Sequence, residues 1–222
     1  MTGANRRAGL FRKEIHAALF LLLAMLVHNL AYPLSGAGGV WPAVFYAFFS
    51  IIFVVAVFAM SRSRAARWSI VVTGGAVFMT GLANSYAPSS ATALGLYLSV
   101  IAYHSVVIVV LAQYIFGAAQ VLTEVIVAAT SLYLIIGSIF TALFGLVEWA
   151  APGSFVSSSG AAVEWQQFLY FSYITLTSLG YGDILPVGFY AQSLAAFEAV
   201  AGVLYTVILL SRLVGMHQSR TS

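Results

Sequence analysis

The chain of 222 residues is 62% hydrophobic and only 7% charged, with a mean hydropathy of +0.99. A soluble domain carries about 25% charged and about 45–50% apolar residues, so this excess cannot be buried in one core. A soluble enzyme, a nucleic-acid binder and a disordered chain are excluded, and the absence of cysteine removes disulfides, thiolate metal sites and Cys nucleophiles. What remains is an all-α, multi-pass membrane protein.

A helical span needs about 20 mainly apolar residues. Six such runs are expected, at 17–34, 42–60, 68–86, 92–116, 125–149 and 189–214. Arg6, Arg7, Arg12 and Lys13 precede the first run, Arg62, Arg64 and Arg67 separate the second from the third, and Arg212 and Arg220 close the last. With six spans, all nine basic residues fall on one side, which marks it as cytoplasmic and places both termini there. The high pI of 9.3 is thus a topology signal. An anionic-lipid site at 62–67 is the alternative use of the central cluster. His28 and Asn29 near the outer end of the first span read as interhelical glue, and Gly74, Gly75 and Gly81 in the third as points of close packing. The fourth run contains no Lys or Arg; its notable polar residues are His104 and Gln113. His104 fits either a proton sensor or a neutral residue bonded to a neighbouring helix. No internal repeat supports a transporter of inverted halves.

The fifth run ends at Glu148, and 150–188 breaks the pattern with a Gly/Ser-rich stretch and a shorter, half-apolar segment. Glu148, Glu164 and Asp183 lie on the outward side, which has no basic residue. Such a mouth concentrates cations, although a solvated acidic loop reads the same way. Residues 165–177 read as a short helix, with Glu164 complementing the positive end of its dipole and the opposite end facing a cavity that favours a cation. Its aromatic residues, Tyr170 and Phe171 among them, would form a packed cuff around the next segment. That segment reads Thr175-Leu176-Thr177-Ser178-Leu179-Gly180-Tyr181-Gly182-Asp183. Gly180 and Gly182 permit positive φ without a Cβ penalty, so successive carbonyls can face one axis. The stretch 178–182 spans at most about 17 Å; in the potassium-channel signature it resembles, that gives room for several stacked ion sites, with the Ser178 hydroxyl completing the innermost ring and Tyr181 pointing away from the axis.

This stretch resembles the potassium-channel signature, in which a Thr-rich pore helix runs into Thr-Val-Gly-Tyr-Gly-Asp. The resemblance extends over 121–216: Tyr-Leu-Ile-Ile-Gly at 133–137, Glu148 with Pro152-Gly153-Ser154-Phe155, and Glu198 followed by Gly202, Tyr205 and Ser211-Arg212-Leu213-Val214-Gly215 look like the two-helix pore module of bacterial potassium channels. It implies a re-entrant pore helix, a filter of Thr177, Ser178, Leu179, Gly180, Tyr181 and Gly182 binding permeant K+, and a hinge glycine at Gly202. Three positions depart from the family pattern. Ser178 stands where Thr is usual, losing a methyl group that stiffens the rotamer; Leu179 stands where Val is usual; and Ile174 replaces a carboxylate that some members pair with the filter Asp. A ring of carbonyls needs four copies, so a homotetramer is expected. The domains would be 1–120, a four-span bundle in the position of a voltage sensor, and 121–222, the pore. A voltage sensor moves several basic residues, each worth about 2.3 kcal/mol per 100 mV, and the fourth span has none.

In the sixth run Gly202, Thr206, Leu210 and Val214 recur every four residues and share a face, giving a cavity lining at Thr206 and an apolar gate at Leu210 that closes by dewetting. Gly202 serves equally as a hinge or as a point of close packing. Glu198, one turn outward, is costly at that depth and is expected behind the filter against the pore helix, in support. Few residues follow Val214, so no nucleotide- or calcium-binding gating domain is expected. Neither Gly-x-Ser-x-Gly nor His-Glu-x-x-His occurs; no reaction, no cofactor and no nucleic-acid partner are expected. The expected protein is a potassium-selective channel of a bacterial inner (plasma) membrane, in contact with membrane lipids and not conventionally voltage-gated. A weakly selective cation channel and a non-conducting accessory subunit are the alternatives.

Overall fold

The computed structural model describes residues 3–61, 63–118 and 123–218. Arg62, Arg220 and Val121 lie outside the described residues, as do the side chains of Arg6, Arg7, Arg12, Lys13, Leu213 and Val214. The helices are α1 Gly3–Ala31, α2 Trp41–Met60, α3 Arg64–Tyr86, α4 Ser90–Phe116, α5 Thr123–Ala150, α6 Trp165–Leu176 and α7 Phe189–Gln218. Among the described residues, five stretches are helical, long and apolar enough to cross a membrane: Ile15–Gly36, Arg64–Tyr86, Ser90–Phe116, Thr123–Ala150 and Phe189–Arg212. The continuous described apolar part of α2 is Trp41–Ile51.

The expectation of helix alone needs correction. Strands β1 Phe155–Ser157 and β2 Ile184–Pro186 pair antiparallel, Val156 opposite Leu185, and tie the loop before α6 to the loop after it. Three-residue strands are too short to show a period of two in sequence. The boundary between the second and third spans also shifts. Arg64 and Arg67 lie in the first turn of α3, because the chain reverses tightly there. The Arg67 guanidinium reaches back to donate to the Ser61 carbonyl from Nε and Nη2, at 3.0 and 2.8 Å, while lying over the Phe58 ring at 4.9 Å. It thereby satisfies a carbonyl that the end of α2 leaves open. At the start of α4, Ser89 and Thr92 close a reciprocal cap, with Thr92 N–H donating to Ser89 Oγ at 3.1 Å and Ser89 N–H to Thr92 Oγ1 at 2.8 Å.

Neighbouring helices α1–α2, α2–α3, α3–α4 and α4–α5 pack in turn, α1 returns to α5, and α5 also receives α6 and α7. Lipid tails are as apolar as these side chains, so close packing and interhelical hydrogen bonds hold the helices together rather than exclusion of water. Small residues set the distances. The Tyr46 ring fills the space over Gly81, Val54 that over Gly74, and Tyr97 that over Gly145; Gly75, expected to do the same, faces nothing within 4 Å. His28 stacks on Phe45 and Phe49 with centroids 5.0 and 4.4 Å away. The buried His104 donates from Nδ1 to the carbonyl of Val100, in its own helix, at 2.8 Å. Asn29 donates to the Tyr173 hydroxyl at 2.9 Å, an interhelical bond of the kind its position suggested.

A Cβ at Gly145 would stand 2.5 Å from the Tyr97 ring. Gly145→Ala is expected to lower unfolding stability in detergent by about 1–3 kcal/mol, whereas Gly75→Ala leaves it unchanged or raises it by up to about 1 kcal/mol. Thermal unfolding of the two variants side by side measures the difference.

Candidate functional site

The twelve residues of α6 extend about 18 Å, well short of the roughly 30 Å of hydrocarbon a span must cross. The helix therefore ends within the protein, and its polar groups are met there. At its start the Gln167 side chain accepts from the Glu164 N–H at 2.8 Å. Further along, two adjacent residues reach α5. Ser172 Oγ lies 2.7 Å from the Gly137 carbonyl, and the Tyr173 hydroxyl donates to the Leu134 carbonyl at 2.9 Å while lying 3.3 Å from Ser138 Oγ. Gly137 makes this approach possible, since a Cβ there would sit 2.6 Å from the Tyr173 ring. At the far end the Tyr133 hydroxyl donates to the Leu176 carbonyl at 3.2 Å. Phe171 is buried against Phe144 and Phe155, with centroids 5.0 and 5.5 Å away, so the β1–β2 ribbon and α5 share one aromatic layer with the helix.

Beyond Leu176 the backbone leaves the helix. The Ile174 carbonyl accepts from the N–H groups of Leu179 and Gly180 at 2.8 and 3.2 Å, folding the loop back on the helix end. Ser178, Gly180 and Gly182 have φ of 58°, 54° and 77°. In an extended chain successive carbonyls alternate sides; inverting every second residue brings them to one side. The two glycines adopt the conformation their missing side chains permit. Ser178 was not expected to do so, and its left-handed backbone costs of order 1 kcal/mol. Among the described residues, the carbonyls of 177–182 accept no hydrogen bond, so their lone pairs are available. Thr177 turns its hydroxyl back to the Tyr173 carbonyl at 2.6 Å. Tyr181 stacks on Tyr170 at 6.4 Å and 8°, and the Asp183 carboxylate lies by the Tyr170 hydroxyl.

The outward acids are not equivalent. Both oxygens of Glu148 accept from backbone, the Gly153 N–H at 2.7 Å and the Phe155 N–H at 3.0 Å, which fixes the turn before β1. Glu164 stands at the start of α6. Asp183 comes directly after the left-handed stretch and takes the Ile184 N–H on Oδ1 at 3.2 Å.

On α7 the stripe read from the sequence divides. Gly202 is buried, and an added Cβ would fall on the Leu176 carbonyl oxygen. The bare backbone of α7 thus touches the end of α6 there. Thr206 and Leu210 are exposed on the protomer, Leu210 by 56%. Beyond Gly202 most of α7 is exposed on the protomer, Val203, Leu204, Val207 and Ile208 included, with Tyr205 and Leu209 half-buried. Glu198, one turn before Gly202, is fully buried and reaches Ser172 Oγ at 2.5 Å. Ser172 and the Gly137 contact were not singled out in the sequence. The available signal was a Ser in the middle of the aromatic and aliphatic stretch 168–174.

Chemically, a run of free carbonyls on one side of a loop can replace the water shell of a cation without binding it irreversibly. Among the described residues no group of His, Asp or Glu has metal-ligand spacing. Comparison with known proteins agrees with this chemistry. Residues 108–218 match the family described as ion channel. A stretch of 79 residues is 32% identical to an inward rectifier potassium channel, Kirbac3.1, of Paramagnetospirillum magnetotacticum, covering 34% of this chain and 23% of that protein. The chain therefore aligns with about a quarter of the length of that relative. No solved structure matches. The family match takes in half of the chain, from the end of α4 through α5, the short helix, the left-handed loop and α7, and the chain belongs to the ion channel family.

Proposed function

We propose that this chain is a potassium-selective channel that conducts K+ passively through a filter built from Thr177, Ser178, Leu179, Gly180, Tyr181 and Gly182 of four identical copies. The observation that carries the reading is the alternation of left-handed backbone at Ser178, Gly180 and Gly182, with carbonyls that accept no hydrogen bond among the described residues. A single copy offers such carbonyls on one side only; a closed ring requires symmetric partners, four for a potassium-sized cage. The potassium-channel name of the relative supports the choice of ion.

The proposed architecture has six spans, α1–α5 and α7, with both termini cytoplasmic in a bacterial inner membrane. Residues 1–120 form a bundle and 121–222 the pore. Asp183 faces the outer mouth. Glu198, Tyr170 and Phe171 support the filter from behind, and Thr206 and Leu210 line the inner cavity, where their exposure on the protomer suits a shared axis. Without a basic residue in α4, the bundle does not sense voltage in the usual way.

Gly180→Ala adds a Cβ at a left-handed position, at about 1–2 kcal/mol in each copy, and is expected to abolish potassium selectivity while the protein still assembles; reversal potentials in mixed potassium and sodium measure it. An unselective wild type would instead indicate a general cation channel, and a silent one an accessory subunit. Leu210→Ala or Leu210→Asp is expected to raise resting conductance with selectivity unchanged, read from single-channel records. Open probability should lack the steep voltage dependence that several gating charges per subunit produce, a point that conductance–voltage curves without internal blockers decide.

A further inference from the structure

We propose that Glu198 works in its neutral, protonated form, passing a hydrogen bond through Ser172 to the Gly137 carbonyl and so clasping α7, α6 and α5 together behind the left-handed loop. The number of protons available requires it. Ser172 Oγ lies 2.7 Å from the Gly137 carbonyl oxygen and 2.5 Å from Glu198 Oε1. Two oxygen–oxygen contacts this short each need a proton between them. The carbonyl has none to give, and Thr141 Oγ1, which also lies 3.1 Å from it, is a further donor rather than an acceptor. The serine hydroxyl supplies one proton. Only the carboxyl group can supply the other.

The surroundings favour the same state. Ser172 and Glu198 are both fully buried. The titratable side chains that face Glu198 from the helices packed on it are Tyr133 of α5 and Tyr173 of α6, both uncharged phenols. Among the described residues Glu198 Oε2 has no hydrogen-bond partner. A carboxylate there would leave an uncompensated charge with a bare oxygen, which proteins avoid at such depth; a neutral acid leaves only a weak acceptor unused.

Position gives the clasp its consequence. Ser172 lies one turn before Leu176, Glu198 one turn before Gly202, and Gly202 touches the Leu176 carbonyl. The clasp thus fixes how closely α7 approaches the end of α6. Ser172 and Glu198 are positioning residues, and their effect on conduction rests on the potassium-channel reading, whereas the proton itself does not.

The test therefore has two arms. Infrared spectra of the purified protein at neutral pH, in light and heavy water, are expected to contain a protonated-carboxyl band that disappears in Glu198→Gln. Potassium flux in proteoliposomes is expected to stay within about twofold of wild type in Glu198→Gln, whose amide still donates to Ser172, and to fall by about tenfold in Ser172→Ala and Glu198→Ala, the weight of one buried hydrogen bond. Absence of a Glu198-dependent band, or a Glu198→Gln protein as impaired as Glu198→Ala, would overturn the proposal. If the wild type proves silent, the channel reading fails, and the spectral arm still decides the state of Glu198.

Discussion

A short helix that ends inside a bundle of apolar helices must find protein partners for every polar group it exposes, because its surroundings supply no water. That constraint governs α6 and the loop beyond it. Ser172 and Tyr173 bond to α5, Tyr133 caps the Leu176 carbonyl, and Ile174 holds the returning loop. Each of these contacts needs helices at short range, and the chain provides it by omitting side chains where backbone meets backbone or ring. Gly137 admits the Tyr173 ring, and Gly202 admits the Leu176 carbonyl. With the helix end fixed, the loop can hold the left-handed residues that a free chain would avoid.

The N-terminal helices take part in the same scaffold. Asn29 of α1 bonds to Tyr173, and the Gln166 side chain fills the space over Gly36, just beyond α1. The bundle therefore bears on the short helix directly as well as through α5, where Tyr97 packs on Gly145. At the opposite end Arg212 of α7 donates to the Ala118 carbonyl at 3.1 Å and lies over the Phe116 ring at 5.3 Å, joining the end of α7 to the end of α4. A cation suits the carbonyl-rich end of a helix.

What was legible in the sequence was whatever has a long period or a dedicated residue type. Apolar runs of membrane length revealed the helices, and Gly180 and Gly182 announced positive φ because only glycine takes it without penalty. Glu198 could be placed behind the loop because a buried acid must be partnered. The β1–β2 ribbon was not legible, being shorter than its own periodicity can declare. Nor was the left-handed Ser178, since the conformation is imposed by the folded-back loop and not by the residue. The face of α7 carrying Gly202, Thr206 and Leu210 was read from four-residue spacing, but its burial could not be: Gly202 is covered, while Thr206 and Leu210 are open on the protomer. Ser172 was missed because a hydroxyl in a span is ordinarily satisfied by its own helix, as Ser131 is by the Val127 carbonyl at 3.0 Å. Its partners came from two other helices, which only tertiary structure brings together.

The proposed function requires the loop after α6 to be a path for potassium. Potassium-gradient-driven flux in proteoliposomes made from the purified wild-type protein tests this most directly, with sodium substitution and external barium as controls. The predicted result is flux carried by potassium, blocked by barium and nearly abolished when sodium replaces potassium. Equal flux with sodium, or no flux from correctly inserted protein, would contradict it.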